Sequence, residues 1–68
     1  MHINRLVECF LREKGMAPTK LGRLVARDPR LVLDMRMGRE FRPEMETKIR
    51  RYIAANAPQL ESGKDQRV

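Results

Sequence analysis

The sequence predicts an all-α fold: a compact domain of four short helices, the middle two joined by a tight turn as a helix-turn-helix. Three observations carry this expectation. Apolar residues recur three and four positions apart in four separate stretches, the spacing that lines one face of a helix. Pro18, Pro29 and Pro43 each stand where a helix can open. No stretch alternates apolar with polar residues, and the aromatic residues that favour strands make up only 4% of the chain.

In the first stretch, Ile3, Leu6, Val7, Phe10 and Leu11 share one helical face, with Arg5, Glu8, Arg12 and Glu13 mostly elsewhere. A helix is expected from about Ile3 to Lys14. Gly15 suits a left-handed C-terminal cap, and Lys14 falls near the negative end of the helix dipole. A second helix is expected over about Pro18 to Ala26. Pro18 has no N–H to leave unpaired in a first turn, and Met16 can fold back onto Leu21 as a hydrophobic staple. Leu21, Leu24 and Val25 form the expected inner face. Gly22 weakens this helix by about 1 kcal/mol relative to alanine, which calls for a close approach by another backbone.

Asp28-Pro29 is a second start signal, because the carboxylate can accept from an unpaired N–H two or three residues on. A third helix is expected over about Pro29 to Met37, ended by Gly38. The loop Arg39 to Arg42 leads to Pro43, and Met45, Ile49, Tyr52 and Ile53 recur at helical spacing, giving a fourth helix to about Ala55 or Asn56. Pro58 stops it. Residues 1–57 are therefore expected to form one helix-turn-helix domain. Residues 58–68, without a periodic apolar pattern, are expected to be a flexible C-terminal tail.

Sixty-eight residues allow one domain. A chain this short buries only about 60% of the surface its unfolded form exposes, so a partner chain or nucleic acid is a natural brace. Fifteen Lys and Arg against 9 Asp and Glu give a formal charge of +6, with a pI near 10.5, which favours polyanions. The excess is uneven. Between Thr19 and Arg42 lie seven basic residues and three acidic ones, so that stretch carries +4 of the +6. The single cysteine, Cys9, excludes an internal disulfide and a four-thiolate zinc site, and a reducing cytoplasm, in association with the nucleoid, is the expected home. No segment approaches the roughly 20 apolar residues that span a bilayer, and neither a leader nor a membrane anchor is expected.

From Met16 to Gly38 the chain resembles the phage repressor and Cro-like helix-turn-helix family, the XRE class. The family's small residue in the middle of helix two falls at Gly22, its turn residue at Ala26 and its capping residue at Asp28. Its inward aliphatics in the recognition helix fall at Val32 and Met35, and its closing glycine at Gly38. The resemblance covers four helices and implies a lambda-repressor-like fold. The chain departs from the pattern in carrying Ala26 where the family has a turn glycine, and Pro18 near the place of a phosphate-binding glutamine. A fifth helix, common in the family, is not expected.

With Val32 and Met35 inward, Arg30, Leu33, Asp34 and Met37 share the outer face of helix three. The resemblance places base-reading positions at Pro29, Arg30, Leu33 and Asp34. A guanidinium at Arg30 can grip the O6 and N7 edge of guanine, worth roughly 1 to 3 kcal/mol of discrimination, and Leu33 or Met37 can touch thymine methyl groups. The competing readings are a pair with Asp34 for Arg30, which can coexist with base reading, core packing or a protein interface for Leu33, and a structural role for Leu31 and Met37. The phosphate contacts are expected from Thr19, Lys20, Arg23, Arg27, Arg39 and Arg42, which position rather than specify. Arg36 is expected either to join them or to pair with Glu40. Five neutralised phosphates per protomer imply a slope of log K against log salt near −4.5, from about −0.9 per contact. Arg50 and Arg51 are expected to be solvated.

No catalytic or metal constellation is visible. Cys9 and His2 are each the single residue of their type, so neither a nucleophile–base pair nor metal-ligand spacing is present. Glu44 and Glu46 fit the positive end of helix four. The chain is therefore expected to be a non-enzymatic, sequence-specific regulator of transcription that binds double-stranded DNA without a cofactor. The resemblance implies a two-fold dimer, and Tyr52, Ile53 and the outer face of helix one are the expected contact. Two alternatives stay open: a helical module that binds an acidic partner protein, favoured by the greasy run LVLDMRM, and a DNA-coating protein that touches phosphates alone.

Overall fold

The computed structural model describes residues 2–60. They form an all-helical unit with no strand among the described residues: α1 (Ile3–Lys14), α2 (Pro18–Ala26), α3 (Leu31–Arg36) and α4 (Pro43–Asn56). The radius of gyration is 11.4 Å, near the about 11 Å of a folded chain of this length.

α1 supplies the largest share of the core. Ile3, Leu6, Val7, Phe10 and Leu11 are all buried, and Phe10 meets Tyr52 of α4 edge-on, ring centroids 5.8 Å apart at 74°. The helix opens on His2, whose Nδ1 accepts from the Asn4 N–H at 3.1 Å. It closes as expected on Gly15 in the left-handed region (φ 58°), with the Gly15 and Met16 amides donating back to Arg12 and Leu11 carbonyls. Met16 is half-buried against the core, where a staple belongs. α4 closes the other side with Ile49 and Ile53 fully buried. Its first turn holds Pro43, Glu44 and Glu46, the acidic pair lying at the positive end of the dipole. Among the described residues no polar or charged side chain is buried.

α2, α3 and the turn between them differ from the sequence expectation in four ways. The left-handed residue is Arg27 (φ 55°, ψ 31°), one position after Ala26, where the resemblance puts the family's turn residue; Ala26 ends α2 as expected. Helix three starts at Leu31 and not at Pro29. Asp28, Pro29, Arg30 and Leu31 form a β-turn in which the Leu31 amide donates to the Asp28 carbonyl at 3.1 Å, and Arg30 (φ −95°, ψ 1°) holds the third turn position. The Asp28 carboxylate accepts from an amide two residues on, as expected, but that amide is Arg30's at 3.0 Å; the bond closes the turn, and no side chain caps α3, whose N-cap is Arg30. Helix three also ends one residue early, at Arg36. Leu24, expected inside, is 51% exposed, because α2 is covered along a narrower stripe centred on Leu21.

Two further expectations change. Residues 58–60 are helical and Leu60 packs on the core beside the buried Ala57, so ordered chain passes position 57. The remainder of the expected tail, residues 61–68, lies outside the described residues. Ile53 is fully buried, so it is not free to form the contact between copies assigned to it, whereas Tyr52 is half-buried with its ring against Phe10.

Candidate nucleic-acid interface

Four residues lie on one side of α3. Leu33 is 42% exposed and Met37 86% exposed; Arg30 is exposed at the N-cap, and Asp34 is half-buried between them. Val32 and Met35 face the core as expected, joined by Leu31. The outward face thus holds one cation, one carboxylate and two apolar side chains. Leu33 and Met37 do not pack into the core.

The ion pairs on α3 are not those the spacing suggests. Arg30 makes no ion pair among the described residues; Asp34 pairs with Arg39, Oδ2 to Nη1 3.3 Å, and the Arg39 amide donates to the Asp34 carbonyl at 3.1 Å. The Met37–Gly38 reversal brings Arg39 back over Asp34, with Gly38 at φ 100°. Arg36 does not pair with Glu40. Its Nε and Nη2 each donate to the Glu8 carboxylate of α1 at 2.8 Å. This bidentate fork holds the Glu8 carboxyl below its ordinary value, chiefly through the hydrogen bond, with the Arg36 and Arg12 charges adding to it and partial burial opposing it. The same bond raises the Arg36 guanidinium.

The expected phosphate-contacting residues are all exposed but occupy two places. Thr19 and Lys20 are in the first turn of α2, whose N-terminus no side chain caps, and Arg23 and Arg27 follow on the same helix and its turn. Arg39 and Arg42 instead border a cleft of about 420 Å³ between α3 and α4, together with Asp28, Asp34, Glu44 and Lys48. Mixed signs there give no selection for an anion. Pro29 sits exposed in the β-turn beside Arg30.

Sequence reasoning missed a second basic strip. Arg5 and Arg12 of α1 edge a groove with Glu8 and Arg36. Arg5 and Arg12 are seven apart and so share a helical face, which was the available signal; that Arg36 would join them across 28 positions was not. Cys9 is half-buried in the floor of this groove. Arg50, expected to be solvated, is half-buried and pairs with Glu46 at 3.0 Å.

No cluster of three or more potential metal-ligating side chains exists among the described residues, and no helix there is long and apolar enough to cross a membrane. No protein-family model matches the chain, and no curated protein or solved structure is significantly similar to it.

Proposed function

We propose that this protein is a sequence-specific, non-enzymatic DNA-binding regulator of transcription with a lambda-repressor-like helix-turn-helix, α2 and α3 being the two helices of the motif. One observation carries the reading: the outward face of α3 opens on an exposed Arg30 that makes no ion pair among the described residues and whose main chain is held by the Asp28 turn. α3 enters the major groove, Arg30 reads guanine, and Leu33 and Met37 meet thymine methyl groups. Pro29 shapes the approach and Asp34 keeps phosphates away from the reading face. Thr19, Lys20, Arg23 and Arg27 hold the backbone, with Arg39 and Arg42 reaching it from beyond α3. No cofactor takes part. Two copies bind a two-fold site, their half-sites about one helical turn apart, in the cytoplasm beside the nucleoid.

Three large apolar side chains, Leu24, Leu33 and Met37, are exposed on α2, α3 and the turn after it. They favour a second reading, in which this surface binds an acidic partner protein. Selection of bound sites from a random duplex pool tests both. A defined motif is expected, and Arg30→Ala is expected to erase the preference at one base pair, a loss of roughly 1 to 3 kcal/mol at that position. Uniform weakening by Arg30→Ala indicates a coating protein, and absence of duplex binding by the unaltered protein overturns the DNA reading in favour of the protein partner.

A further inference from the structure

We infer that the groove between α1 and α3, edged by Arg5, Arg12 and Arg36, is a second phosphate-binding strip that meets the DNA strand opposite the one met by the start of α2. The inference rests on the DNA-binding reading above and extends it to α1, a helix to which that reading gives no contact.

Charge is the first argument. Three guanidiniums and one carboxylate edge the groove, a net +2, and the carboxylate is already engaged by both arms of the Arg36 fork. Arg5 and Arg12 are exposed and make no ion pair among the described residues. They stand two turns apart on one face of α1 with Glu8 between them, so both project over the same groove.

Placement is the second argument. At about 100° per residue, Leu31 and Arg36 fall on opposite sides of the face formed by Leu33, Asp34 and Met37, each roughly 110° from its middle. α2 meets α3 on the Leu31 side: a Cβ built on Gly22 lies 3.2 Å from the Leu31 Cβ. α1 meets α3 on the Arg36 side, at 2.8 Å. The two helices therefore flank the outward face of α3. A major groove is about 12 Å wide and walled by two phosphate strands, whereas α3 has six residues and is about 9 Å long. A helix seated in that groove presents one flank to each wall. The α2 flank carries Thr19 and Lys20; the α1 flank carries Arg5 and Arg12.

The test is the salt dependence of binding to the selected site by R5Q/R12Q. With two contacts removed, the slope of log K against log salt is expected to become shallower by about 1.8, the selected motif staying the same. Loss of charge as such is controlled by K48Q/R51Q, which removes two charges from α4 and is expected to leave the slope unchanged. Thermal unfolding confirms that each variant folds, as the substituted side chains are exposed. An unchanged slope in R5Q/R12Q, or an equal change in K48Q/R51Q, overturns the strip while leaving the DNA reading intact. Failure of the unaltered protein to bind any duplex overturns both.

Discussion

The main-chain carbonyl of Asp28 occupies the space that a side chain at Gly22 would need. The two residues are also hydrogen-bonded, the Asp28 amide donating to the Gly22 carbonyl at 3.1 Å. A Cβ at position 22 would collide with the Asp28 oxygen and lie 3.2 Å from its carbonyl carbon. The glycine therefore serves the turn after α2 as much as the helix it sits in, and through Asp28 it sets where α3 begins.

Gly22→Ala should accordingly destabilise the fold by about 3 kcal/mol, the upper end for an overpacked site, since the obstructing atom is backbone. Helix propensity alone predicts the opposite sign, a gain of about 1 kcal/mol. Denaturant unfolding decides between them: a raised midpoint would contradict the collision.

Arg27 carries the left-handed conformation at φ 55° without being glycine. Arg27→Gly should stabilise by about 0.5 to 1 kcal/mol, the relief of the side-chain clash less the added chain entropy. Arg27→Ala should gain nothing, because alanine keeps the Cβ. Equal midpoints for the glycine and alanine variants would refute the assignment of strain to this residue.

The Glu8–Arg36 pair is partly exposed, with side-chain exposures of 36% and 44%, and so is worth about 0.5 to 1 kcal/mol despite its bidentate geometry. Glu8 is held below its ordinary value of 4.5 in the folded protein. The stabilisation is therefore fully present above pH 4.5 and lost as pH falls through the lowered folded value. A double-mutant cycle of Glu8→Ala and Arg36→Ala should show this coupling at neutral pH and its disappearance in acid. Coupling that persists unchanged in acid would show that its origin is not the carboxylate.

Asp34 puts a negative charge on the proposed reading face and ties down Arg39. Asp34→Ala should strengthen binding to random duplex DNA and steepen its salt slope by up to about 0.9, as Arg39, no longer shared with a carboxylate, neutralises its phosphate in full. Titration against selected and random duplexes measures it; weaker binding to both would show that Asp34 contributes attraction through Arg39.

The four helices were legible because each announces itself locally. The face of Ile3, Leu6, Val7, Phe10 and Leu11, and prolines at positions 18 and 43, gave α1, α2 and α4 their bounds. α3 was overextended. An Asp-Pro pair signals a β-turn as well as a helix start, and only the Leu31 amide bond to the Asp28 carbonyl distinguishes them. The exposed positions on α3 were legible from Val32 and Met35. The partners of Asp34 and Arg36 were not, since Arg39 reaches Asp34 by a chain reversal and Glu8 comes from another helix.

What the amino-acid order determined by itself was helical content, the buried face of α1, the local bond of the Asp28 carboxylate to an amide two residues on and the concentration of positive charge between positions 19 and 42. These follow from contacts within about four residues, where spacing fixes geometry. Tertiary structure alone decided that Leu24 stays in water, that Tyr52 meets Phe10 of α1, that Arg27 takes the strained turn position, and that Arg36 is drawn to Glu8. Each of these depends on which helix lies alongside, and a neighbour brought from 20 or more residues away leaves no periodic mark on the chain it covers.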